Sequence, residues 1–222
     1  FCPVCSVQKI NNIRRNVSSF TNEFQRDGGN LNLITLTIPH NKNTDLNDLY
    51  NSFSKSTRRM KNSSVWRNSF KKELNSQFHF NRYETTISPI NDYHLHLHIT
   101  IGGYNLIDTD LWKKRLTEVW RRCCQSVGVK RLPTKTNGLD IRQTTNGTYS
   151  MKLNEDTTIP NKQESYTPED LKKILTGYKR IEQFKHPDFS LNELKKYLKK
   201  YKKVMSGKKY MKIYFDTDEY KW

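Results

Sequence analysis

No apolar run in this 222-residue chain approaches the roughly 20 residues that a membrane-spanning helix needs, so no such helix is expected. No secretory signal and no initiator Met are visible, and the chain opens at Phe1 inside what reads as a motif. Residues upstream of Phe1 are therefore expected. Cysteine is sparse at four, and without a secretory signal those thiols are expected to be reduced and the protein intracellular. Apolar residues make up only 34%, still enough at this length for one core. Internal repeats are lacking. Acid is the scarce charge: 22 Asp and Glu stand against 39 Lys and Arg, for a net charge of +17.

That imbalance points to a polyanionic partner, and nucleic acid suits it better than a membrane surface. A membrane-surface protein would concentrate its charge on one amphipathic helix with a greasy face. Here the basic residues run through the whole chain, interleaved with tyrosine, phenylalanine and tryptophan. Base stacking plus phosphate neutralisation on a single strand calls for that mixture. The plainer alternative is a merely soluble basic surface.

The cysteines occur as Cys2-Pro3-Val4-Cys5 and as the adjacent Cys123-Cys124. Cys2 and Cys5 have zinc-knuckle spacing and supply half of a structural zinc site, but a second pair is not visible. Cys123 and Cys124 fall in an amphipathic helical stretch and read as buried thiols.

Along the chain, residues 6–25 read as a polar, basic helix closed by Gly28-Gly29. The run from Leu31 to Pro39 is β-rich and apolar, and reads as a central strand. Two helices follow, over about 45–61 and 65–75. Alternating strands over 78–87 and 93–101 are joined by a turn over 88–92. A helix over about 108–127 offers Leu111, Leu116, Val119 and Trp120 to the core. A short strand over 138–143 precedes the Asn146-Gly147 turn, and residues 148–152 can open a helix. Beyond Thr157 the composition changes: a polar linker leads to a helix capped by Thr167 and another from Ser190 to Met205. In that last helix Leu191, Leu194, Leu198 and Tyr201 share a face and lysines cover the rest, as a solvated face or as a DNA-backbone contact. Two regions are thus expected, 1–157 and a basic, mainly helical 158–222.

The sharpest feature is Tyr93-His94-Leu95-His96-Leu97-His98-Ile99-Thr100. Strand periodicity puts the three histidines on one face and Leu95, Leu97 and Ile99 on the other. The leucine face needs a core; the histidine face needs another reason, and alternate imidazoles can meet one ion from the same side. If residues 88–92 form the loop, Ile87 pairs with Tyr93 and Glu84 lies opposite His96 on the histidine face. His96, His98 and Glu84 then make a two-histidine, one-carboxylate set. Such a set also suits a non-haem iron oxygenase, but nothing else in the chain suggests oxygen chemistry, whereas the charge suggests phosphate.

These motifs together resemble the replication initiators of small rolling-circle plasmids, within the HUH superfamily of nucleases, relaxases and transposases. Leu33 to Pro39 (LITLTIP) resembles their first motif. Asn81 to Thr100 (NRYETTISPINDYHLHLHIT) resembles their second, with Leu95 where the family usually has proline. Thr148 to Lys152 (TYSMK) resembles the third, Tyr-x-x-Lys. Phe1 to Cys5 resembles a Cys-rich element found upstream in plasmid members. The resemblance covers about residues 1–156, and only the second motif is specific by itself.

It implies His96 and His98 as metal ligands, Tyr149 as nucleophile and Lys152 as its charged helper, with Mg²⁺ or Mn²⁺ as cofactor and possible structural Zn²⁺ at Cys2 and Cys5. The implied fold is α+β: a central antiparallel sheet with helices packed opposite the histidines and a helical C-terminal appendage. The implied activity is strand-specific nicking and joining of single-stranded DNA. Its partners would be single-stranded DNA or a hairpin at an origin or element end, and host replication machinery, in a prokaryotic cytoplasm or a eukaryotic nucleus. Arg82, His94, Lys179, Arg180, Lys202 and Lys203 are the candidate DNA contacts. Family members commonly carry a glutamate one helical turn before the tyrosine; Thr145 stands there. The alternative from another class is a non-catalytic DNA-binding module with a zinc knuckle and a basic tail.

Overall fold

The computed structural model describes residues 3–41, 44–88, 92–145, 147, 196 and 211–215. Its centre is a five-stranded antiparallel sheet of β1 (Asn30–Thr37), β2 (Ser76–Ser88), β3 (Asp92–Gly103), β4 (Leu139–Thr144) and β5 (Met211–Phe215), in the order β4-β1-β3-β2-β5. Helices α1 (Pro3–Arg26), α2 (Leu46–Asn62), α3 (Lys71–Leu74) and α4 (Thr109–Ser126) complete an α+β fold, with a π-helical turn over Val65–Phe70 leading into α3.

Local chemistry accounts for the helix ends. Asp45 caps α2 by accepting from the Asn47 amide at 2.8 Å, and Asp108 caps α4 by accepting from the Asp110 and Leu111 amides at 3.0 and 2.9 Å. These side chains satisfy amides that the first helical turn leaves unpaired. At the other end α1 and α4 close alike. Gly28 and Gly128 take φ of +86° and +85°, while Gly29 and Val129 donate to the carbonyls of Phe24 and Cys124 at 2.9 and 3.1 Å. Glycine reaches that left-handed geometry without a Cβ penalty.

Strand alternation divides the sheet between two cores. Leu95, Leu97, Ile99 and Ile101 are fully buried and share one cluster with Ile34 and Leu36 of β1 and with Leu49, Phe53, Trp66, Phe70, Trp112 and Trp120 from the helical elements. The opposite parity carries the histidines. At the far end of that face a second cluster joins Val17 and Phe24 of α1 to Leu31, Phe78 and Phe80. Helices thus contact both faces, α2 and α4 on the side of Leu95, Leu97 and Ile99 and α1 on the side of the histidines. The reason is local: Leu31, Phe78 and Phe80 are apolar where Thr37, Glu84 and His96 are polar, so α1 has something to bury at that end alone.

Three readings change. Leu111 is 39% exposed, and Trp112 takes the core position instead. The helix expected over 65–75 is a π-helical turn followed by one turn of α-helix, ended by Asn75 at φ +50°. The C-terminal region, read as mainly helical, also supplies a strand: β5 pairs with the outer edge of β2, with Phe80 opposite Ile213. Lys196 is helical, as the reading of the 190–205 helix expects.

Candidate metal centre

Strand β3 lies between β1 and β2, so His96 and His98 each meet a partner on both sides. On the β2 side Ile87 pairs with Tyr93, Glu84 with His96 and Arg82 with His98, the register that the hairpin arithmetic expects. On the β1 side Thr37 pairs with His96 and Thr35 with His98. Direct pairs of this kind bring side chains on one face within reach of each other. The Thr37 hydroxyl stands 3.2 Å from His96 Nδ1, and the Thr35 hydroxyl 3.1 Å from His98 Nδ1. The other nitrogen of His98, Nε2, lies 2.7 Å from Glu84 Oε2. Glu84 thus reaches diagonally past its register partner to the next histidine along.

The electrostatics follow from burial. Removing His96 from water, beside His94 and His98, pushes its pKa from 6.5 down to about 3, so its ring is neutral near pH 7. Burial lowers His94 in the same direction, with His40 adding to the effect. The hydrogen bond from His98 holds the Glu84 carboxyl below its ordinary value; burial opposes this, and electrostatic attraction to His98, His96 and Arg82 reinforces it. Neutral imidazoles beside an ionised carboxylate are the protonation states that a divalent ion requires. The donor chemistry fits such an ion. Its closure is less complete, for among the described residues no three His, Cys, Asp or Glu side chains form a group able to hold one.

A fourth imidazole joins the row. His40 follows β1, with its ring centroid 5.2 Å from that of His94, which in turn is 4.2 Å from His96. His40 Nδ1 approaches the Ile38 carbonyl at 3.3 Å, while its buried Nε2 has no hydrogen-bond partner among the described residues. Sequence reasoning missed His40, Thr35 and Thr37 as neighbours of the histidine strand. Thr35-Leu36-Thr37 alternates as the histidines do, but only the pairing of β1 with β3 shows that the two patterns face each other.

The remaining candidates divide by position. Arg82 and His94 lie on the histidine face, by parity with Glu84 and His96. Cys5 falls on α1. Cys2, Tyr149, Lys152, Lys179, Arg180, Lys202 and Lys203 lie outside the described residues. The described chain comes within two residues of Tyr149 at Gly147, where a Cβ would collide with the buried Thr21 side chain of α1. Cys124 is a free, buried thiol whose pKa burial raises to about 12, in keeping with its reading as a buried thiol, whereas Cys123 is free and only partly buried. No protein-family model matches the chain, and no curated protein matches it in sequence.

Proposed function

We propose that this protein is a metal-dependent endonuclease of single-stranded DNA, which nicks and rejoins a specific strand for rolling-circle replication or transposition. One observation carries the reading. Two imidazoles stand side by side on a sheet face, each with Nδ1 against a hydroxyl, and a carboxylate lies against one of them. His96, His98 and Glu84 would hold Mg²⁺ or Mn²⁺, which supplies Lewis acidity to the scissile phosphate when bound. The Tyr149 phenol attacks phosphorus, forming a 5′-phosphotyrosine and releasing a 3′-hydroxyl. Lys152 offsets charge beside it, and the net charge of +17 holds the strand. Thr145 is a poor base for activating water, which favours resolution of the adduct by transfer to a DNA 3′-hydroxyl; Glu155 and Asp156, a few residues after Tyr149, are the alternative bases for hydrolysis.

A second reading, a non-catalytic DNA-binding module, is favoured by the closure of Glu84 onto His98 alone. The two separate on a pool of labelled single-stranded oligonucleotides with Mn²⁺. The nuclease reading expects a cleaved strand and a denaturation-resistant protein–DNA adduct. His96→Ala should abolish nicking and leave oligonucleotide binding largely intact, and Tyr149→Phe should lose the adduct. Undiminished nicking by His96→Ala in chelator would sink the metal site, and binding with no cleavage by the unaltered chain would favour the second reading.

A further inference from the structure

Each histidine assigned to the metal has the same neighbour, a β1 threonine directly across the sheet. We propose that Thr35 and Thr37 are positioning residues whose hydroxyls can serve His98 and His96 in either ring tautomer and so orient both rings for metal ligation; the inference rests on the metal reading above. Thr35 and Thr37 lie opposite His98 and His96 in the β1–β3 register, with their hydroxyls 3.1 and 3.2 Å from the two Nδ1 atoms. Both threonines are half-buried, and a β-branched side chain on a strand has few rotamers, so each hydroxyl is held at its ring.

The chemistry lies in what a hydroxyl can do. With His98 Nε2 at 2.7 Å from the Glu84 carboxylate, a neutral ring carries its proton on Nε2 and donates it to Glu84. Nδ1 is then an acceptor, and the Thr35 hydroxyl donates to it. To ligate through Nε2 the ring must release that proton and take one up on Nδ1, with no net change in charge. The Thr35 hydroxyl then turns and accepts from Nδ1–H. A backbone carbonyl or a carboxylate in its place could only accept, and would stabilise the Nδ1–H tautomer in both states. The Thr37 hydroxyl, 3.2 Å from His96 Nδ1, can do the same for His96.

Strand propensity alone also accounts for threonine on β1, and the test must separate the two. Thr35→Val and Thr37→Val keep the branched shape and remove only the hydroxyls; Thr35→Ser and Thr37→Ser restore them. Long-range ¹H–¹⁵N spectra of the full chain in chelator report which ring nitrogen carries the proton, and calorimetric titration with Zn²⁺ reports affinity without any activity. The unaltered chain is expected to show His98 protonated on Nε2 in chelator and on Nδ1 once Zn²⁺ is bound. The double valine variant should bind Zn²⁺ roughly 10- to 100-fold more weakly, with altered ring-nitrogen signals in chelator, and the serine variant should recover both. Equal affinity and unchanged ring nitrogens in the valine variant would overturn the proposal. Failure of the unaltered chain to bind Zn²⁺ would overturn the metal reading itself, which shows separately because the chelator spectra compare hydroxyl with methyl in the absence of any ion.

Discussion

A buried imidazole held neutral makes folding depend on pH. His96 titrates at about 3 in the folded chain against 6.5 when exposed, so below pH 6.5 the unfolded chain binds a proton that the folded chain does not. Stability from this group is fully present above pH 6.5 and is lost as pH falls toward 3, by at most about 1.4 kcal/mol per pH unit. His94 acts in the same direction, and Glu84, whose folded value is also depressed, adds its loss below its ordinary value of 4.5. Thermal melts of the metal-free protein from pH 7.5 down to 4 should therefore show a falling midpoint, and His96→Gln should flatten the fall. Parallel curves for the two proteins would show that His96 does not carry the dependence.

At the scale of elements, the strand between two hydrogen-bonded neighbours carries both the core and the site. Leu97 is wholly buried between His96 and His98, in one cluster with Phe53 and Trp120. Leu97→Ala should cost about 2–5 kcal/mol in denaturant unfolding, through lost burial and an unfilled cavity. A loss below 1 kcal/mol would mean that the helices do not pack there as described. The indole N–H of Trp120 donates to the Thr37 carbonyl at 3.1 Å, so α4 is tied to the end of β1 where Thr37 meets His96. Most of these elements were legible in advance. Asp45, Asp108, Gly28 and Gly128 mark helix ends through backbone groups a few residues away. Leu111 misled because hydropathy favours leucine, while the spacing of Trp112, Leu116, Val119 and Trp120 already describes the buried stripe.

Charge and edge protection belong to the whole molecule. β5, from the basic C-terminal region, covers an edge of β2 that would otherwise present unpaired amides and carbonyls. Removing residues from 211 onward should therefore lower the melting midpoint and promote association, detectable by light scattering. Deletion is then a poor probe of whether the tail lysines touch DNA. Lys202→Gln with Lys203→Gln leaves β5 in place and isolates the charge. If both lysines contact phosphates, the slope of log affinity against log salt for a single-stranded oligonucleotide should fall by about 1.4. An unchanged slope would assign these lysines to solubility alone.

Alternation along single strands, caps at single helices and the parity of one hairpin are set by neighbours in the chain, and the sequence alone determined them. Hairpin parity carried Glu84 to His96 because a short loop fixes which residues face each other. Tertiary structure decided what depends on residues far apart in the chain. It set β1 beside β3, so that Thr35 and Thr37 meet the histidines across about sixty residues. It laid α1 over one end of the histidine face, brought His40 beside His94 and added β5 to the sheet. Strand order and helix docking are chosen by the burial of whole faces against one another, a choice that no local pattern encodes.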